Sequence, residues 1–153
     1  MHSRIFQISK EPITKDNYAH TSRYEDGFVG RIADYVVESD SKASDISWLT
    51  TCHEGLKVEG NTLTIISKEE YFEKSFTEFK NLLEELKDYT ITDFIDRKNW
   101  MKFYNLKASY NEEYGFYIDD NDEYFGIATL DEFMRNVEDG DVYYIGCIFD
   151  YHF

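Results

Sequence analysis

The chain has 153 residues, with 31 acidic side chains against 16 strongly basic ones, a formal charge of −15, and a composition that is 42% hydrophobic and 18% aromatic. This size and apolar content suit one domain with a buried core and exclude wholesale disorder. The negative charge argues against nucleic acid or anionic membranes as direct partners, because both are polyanions, and favours a basic protein partner.

A single proline, Pro12, and the absence of a Gly/Ser-rich or Pro-rich linker lead us to expect one domain over residues 1–153. Met1–Lys10 lacks the apolar run of a leader, and no run approaches the roughly 18 residues that span a bilayer. A soluble, cytoplasmic protein is therefore expected. Cys52 and Cys147 make no disulfide framework and fit a reducing compartment.

Arg4–Ser9 reads as a strand, and Lys10–Gly27 as a loop. Phe28, Ile32, Tyr35 and Val36 recur at helical spacing, which predicts a short helix to about Glu38. A second short helix is expected through Ile46, Trp48 and Leu49, capped by Ser44 or Asp45 and ending before Gly55. Leu56–Glu59 and Thr62–Ile66 flank Gly60-Asn61, a dipeptide for a two-residue hairpin turn. That register sets Leu56 opposite Ile65 and Val58 opposite Leu63.

Ser67 with Glu70 is a capping box, and Ile66 is placed to staple onto Tyr71. Phe72, Phe76, Phe79, Leu83 and Leu86 then step alternately by four and three residues, the pattern of a helix with one buried stripe. This is the expected core helix, in which Phe76 and Leu83 are buried. Thr90 with Asp93 repeats the capping signature before a stripe of Phe94, Met101, Tyr104 and Ala108, although Asp96–Asn99 is polar enough to allow a break. Phe116–Asp119 and Tyr124–Ile127 are expected to pair about an Asn121-Asp122 turn, with Ile118 opposite Phe125 and Phe116 opposite Ile127. Thr129 with Glu132 caps a helix that Gly140 stops. Val142–Phe153 carries Tyr143, Ile145, Cys147, Phe149, Tyr151 and Phe153 on one face, as a central strand would. The fold class expected is α+β, a mainly antiparallel sheet of about five or six strands with helices packed on it.

Acidity is concentrated after residue 110. Residues 111–153 hold twelve acids against one strong base, Arg135, whereas residues 1–110 hold nineteen acids and fifteen bases. Glu138 and Asp139 fall at the end of a helix, where carboxylates oppose the dipole at a cost of about 0.3–1 kcal/mol each. Arg135 is within helical reach of Asp131 and Asp139, which are expected to neutralise it.

Chemistry-bearing motifs are absent. The four histidines and two cysteines have no zinc-ligand spacing. Asp119, Asp120, Asp122 and Glu123 invite a calcium reading, but a loop starting at Asp119 places Tyr124 where glycine is needed and Leu130 where glutamate is needed. Phosphate cradles and nucleophile motifs are missing too, so neither cofactor nor metal is expected.

The stretches SRIFQIS, FVGRIADYV, NTLTIISKEEYFE and YIGCIFDYHF resemble a set of short acidic proteins from gut Firmicutes to which no activity attaches. The resemblance implies a complete single domain in an intracellular bacterial setting, and it carries over no functional residues.

These observations lead to a non-enzymatic acidic binding protein. Its sharpest form is an inhibitor of a basic nucleic-acid-binding protein, a charge mimic of the antirestriction or anti-CRISPR kind or a toxin immunity protein. The expected contacts are Asp119, Asp120, Asp122, Glu123, Glu138 and Asp139, with Tyr117, Tyr124 and Tyr144 adding contact area. The alternatives are an interaction module with no basic partner, and a small hydrolase or metal-dependent enzyme.

Overall fold

In a computed structural model, which describes residues 1–121 and 126–153, the longest strand lies at the centre of a mixed, mostly antiparallel sheet, and the fold is α+β. That strand, β7 (Val142–His152), is nearly continuously apolar and buried on both faces through its middle. Its antiparallel neighbour is β1 (His2–Ser9). Along its other edge lie β4 (Thr62–Ile65) at one end and β2 (Tyr35–Glu38) at the other. The hairpin partner β3 (Leu56–Glu59) extends the sheet beyond β4. On the far side, β5 (Tyr117–Asp120) runs parallel to β1, and β6 (Ile127–Thr129) completes a sheet that has seven strands among the described residues. The parallel β1–β5 pair departs from an all-hairpin layout because most of the chain intervenes between its strands.

Each face of the sheet has its own cover. One is packed by α1 (Lys42–Cys52), the first turn of α2 (Lys68–Glu85) and α5 (Leu130–Asn136), which contribute Leu49, Tyr71, Leu130, Phe133 and Met134 to the core. The other is closed without an α-helix. Two 3-10 turns, Lys15–Asn17 and Thr21–Tyr24, lead into a looped segment that lays Tyr24, Phe28 and Ala33 over Ile5, Tyr117, Phe149 and Tyr151.

The expected alternation along β7 breaks at Gly146. Tyr143 and Ile145 join the first core, whereas Cys147, Phe149 and Tyr151 join the second. The cause is a register shift. Ile8 pairs with Ile145 and Phe6 with Ile148, so Gln7 alone opposes Gly146 and Cys147, as in a β-bulge. Polar groups around the buried Gln7 hold it. Gln7 Oε1 accepts from Cys147 N and Ala19 N, both at 3.0 Å, its Nε2 donates to Asn17 O, and Lys42 Nζ donates to the carbonyls of Ile145 and Gly146. A Cβ at Gly146 would lie 2.5 Å from Gln7 Oε1, so the bulge requires glycine there by close approach.

Several predicted elements hold. The β3–β4 register matches at Leu56 with Ile65 and Val58 with Leu63, and Gly60 takes a positive φ of 61° at the turn. Ser67, Thr90 and Thr129 each accept a backbone N–H at a helix start, with a full reciprocal box at Thr90 and Asp93. The polar break is also present. It separates α3 (Ile91–Ile95) from α4 (Trp100–Tyr110), with Arg97 and Asn99 both in the left-handed region.

Others need correction. The Phe28–Glu38 segment is not a helix. Gly27 and Gly30 turn the chain at positive φ, and the β-branched pair Val36-Val37 joins β7 as β2. The helix through Trp48 starts after Ser41, and Asp45 is turned inward to Arg4 and Ser39 rather than capping it. The β5–β6 pairing sets Ile118 opposite Ala128 and Asp119 opposite Ile127, because Gly126 and the cap at Thr129 place β6 farther along the chain. The largest correction concerns α2. Tyr71 is buried, but Phe76 is 60% and Leu83 44% exposed, and no residue of α3 or α4 is buried. Past its first turn, α2 pairs with α4 instead of the sheet, forming a helical arm.

Candidate functional site

The residues expected to form one acidic, aromatic surface are dispersed. Tyr117 is buried in the second core, its hydroxyl donating to Glu113 O and its pKa pushed up to about 12 by burial. Tyr144 is half-buried within β7, between Ser9 and Thr62. Asp122, Glu123 and Tyr124 lie outside the described residues.

Asp119 is a correction: it is fully buried. In β5 its side chain points to the same face as Tyr117, where Tyr24 Oη donates to Oδ2 at 2.8 Å and Arg23 Nη2 stands 2.9 Å from Oδ1. The arginine contact is an ion pair without hydrogen-bond alignment. Burial raises the Asp119 pKa, and the Tyr24 and Arg23 contacts oppose that rise. Asp120 is also buried, and its backbone N–H donates to Gly126 O. A carboxylate already enclosed by its own chain is a poor stand-in for a phosphate offered to a partner.

Glu138 and Asp139 are exposed, yet they do not oppose a helix dipole. The α5 helix ends at Asn136, and its last carbonyls are met by a base from another element, as Lys68 Nζ donates to Arg135 O and Val137 O. Asp139 Oδ1 accepts from Lys68 N at the start of α2, where a carboxylate is favourable. Nor is Arg135 neutralised by Asp131 and Asp139. Its guanidinium lies over the rings of Phe72 and Tyr110, while Asp131 accepts from Tyr71 Oη and Glu112 N.

Charge divides by architecture more sharply than by sequence third. The arm, Lys68–Tyr110, carries nine acids and eight bases, and the rest of the chain twenty-two acids and eight bases. The body thus holds −14 and the arm −1. Along the β2 edge Asp34, Glu38 and Asp40 are all exposed, beside Tyr35 at 45% exposure, with no base between Arg31 and Lys42.

Two clefts flank β6. One, about 540 Å³, is walled by Arg23, Asp26, Phe28, Arg31, Tyr117 and Glu132; the other, about 810 Å³, by Lys10, Asp120, Phe133, Asn136 and Tyr143 among others. Among the described residues the first has two arginines beside two carboxylates, with Thr129 and no serine, cysteine or histidine. Among the described residues no three His, Cys, Asp or Glu side chains are placed to hold a metal ion, and no helix is long and apolar enough to cross a membrane. His53, stacked on Tyr71 and with its pKa lowered by burial, is a packing residue of the first core.

No protein-family profile, curated protein or solved structure matches the chain.

Proposed function

We propose that the protein is a non-enzymatic binding protein whose acidic body engages a basic protein surface. The supporting observation is the separation of charge: −14 on the body, with exposed Asp34, Glu38 and Asp40 along β2 and, among the described residues, only His152 set against Asp34 there, compared with an almost neutral arm. Charge-led association of this kind is fast and salt-sensitive, because screening acts over about 10 Å at 0.1 M. The basic partner has the chemistry of a nucleic-acid-binding protein, and the chain acts on it as a competitor for the phosphate-binding surface. Asp34, Glu38, Asp40 and Glu138 supply the contact; the buried Asp119 and Tyr117 do not.

The test is a pull-down from the native host at low and high salt, with Glu38→Lys, Asp40→Lys and Glu138→Lys combined in one variant and Glu69→Lys, Glu73→Lys and Glu84→Lys in another. The reading expects basic partners, lost at high salt and with the first variant but retained with the second. Neutral or acidic partners, or indifference to the first variant, would leave the acidity as a solubility device.

A further inference from the structure

The arm has an apolar surface that none of the described residues covers. Among the described residues, ten of the eighteen exposed large apolar ones fall within the 43 residues from Lys68 to Tyr110. On α2 the stripe Phe72, Phe76, Phe79, Leu83 and Leu86 steps by four and three residues, as one seam of a helical bundle does. Phe72, Phe79 and Leu86 are half-buried, whereas Phe76 and Leu83 stay exposed. One side of the seam is therefore occupied and the other open. Phe94 on α3 and Trp100 and Tyr104 on α4 are exposed as well.

We propose that the occupant of this surface is a second copy of the chain, the two arms joining as a four-helix bundle about a two-fold axis. Area supports it. The ten residues are between 42% and 73% exposed and six are aromatic, at roughly 150–250 Å² for each aromatic side chain, so the arm as a whole carries on the order of 1,000 Å² of uncovered apolar surface, against the roughly 800 Å² per partner of a stable interface. Charge also supports it. The α2 helix has six acids and three bases, whereas α4 has two lysines, Lys102 and Lys107, and no acid. Crossing α2 of one copy over α4 of the other brings opposite signs together in both halves of a two-fold contact, as an isologous interface requires. Within one chain Lys102 Nζ already stands 2.7 Å from Glu85 Oε2 and Lys107 Nζ 2.7 Å from Glu113 Oε2, so the contact between copies sets a second acidic helix beside each lysine. The arm's net charge of −1 imposes little repulsion at the contact, and the 18 residues of α2 span about 27 Å. That length keeps the two −14 bodies several screening lengths apart at about 0.1 M salt. A strongly basic partner would be drawn to the body instead of the arm, and an anionic lipid surface would be repelled by it. This inference is independent of the proposed function, since the residues concerned are different.

The experiment is sedimentation of the full-length chain at low micromolar concentration, at about 0.1 M and about 1 M salt, where the screening length falls to roughly 3 Å. A dimer is expected at both, because the contact is chiefly apolar. The variant Phe76→Ser with Leu83→Ser should weaken dimerisation at least a hundredfold and retain the parent's circular dichroism, since both side chains are exposed in the single chain. A second variant, Glu38→Lys with Asp40→Lys, should dimerise as the parent does. A monomeric parent overturns the proposal, as does a dimer insensitive to the arm variant or one dissociated by salt. A monomer that binds neutral phosphatidylcholine vesicles, with a blue shift of tryptophan fluorescence, would overturn it in favour of a lipid surface.

Discussion

Two residues of one helix make the sharpest contrast in the molecule. Tyr71, in the first turn of α2, is buried against the sheet, and Phe76, five residues on, is 60% exposed. The body buries aromatics on both faces of a central strand and carries nearly all the net charge. The arm has a net charge of −1 and leaves most of its aromatics exposed. Apolar periodicity specifies a helix and the face it must cover, but it does not specify which element, or which molecule, provides the cover.

The widest separation between the two regions should come from a pair of identical substitutions. Phe6→Ala empties a site that is 1% exposed in the first core and should cost about 3–5 kcal/mol in denaturant unfolding, whereas Phe76→Ala, measured below the dimer's dissociation constant, should fall within about 0.5 kcal/mol of the parent. Equal costs would erase the distinction. Next in size, Gly146→Ala forces a Cβ against Gln7 and should cost about 1–3 kcal/mol through overpacking, with no change in the arm. A neutral result would mean that the bulge is not clamped as described. Smaller still, Asp139→Ala removes the carboxylate at the start of α2 and should cost about 0.5–1 kcal/mol, seen as faster amide exchange in that first turn.

Asp119→Asn tests the body by pH. Burial holds this carboxyl above its ordinary 3.8, so the folded chain binds the proton more tightly than the unfolded chain. Its contribution to stability is complete below 3.8 and is lost as pH rises through the folded value. Asparagine does not titrate and still accepts from Tyr24. The variant should therefore gain stability relative to the parent on going from acid to neutral pH, as followed by thermal unfolding. A difference that falls over that range would show that Arg23 outweighs burial.

Local signals were legible wherever a few neighbouring residues decide the geometry. Gly60-Asn61 specifies the β3–β4 register, and Ser67, Thr90 and Thr129 mark helix starts, because each acts within four residues of itself. The bulge in β7 was not legible, since it depends on Gln7 reaching Cys147 across 140 positions. The same distance problem hid the parallel β1–β5 pair and the capture of Asp139 by α2. At β2 a helical spacing of four apolar residues lost to two turning glycines and a β-branched pair, which the spacing alone does not weigh. The acidity after residue 110 was plain to see, but burial of Asp119 and the turn built by Glu138, Asp139 and Asp141 give several of those acids structural work.

The central claim is that the sheet body holds the fold while the arm serves contact, and excising the arm tests it most directly. Phe72 and Tyr110 both pack on the Arg135 guanidinium, at 5.0 and 4.7 Å, so the ends of the arm lie close enough to be joined by a short Gly/Ser linker in place of residues 74–108. Denaturant unfolding of the shortened chain should remain a single cooperative transition, and the protein should sediment as a monomer at every concentration. A shortened chain that loses cooperative unfolding would contradict the account, placing the arm within the folding core.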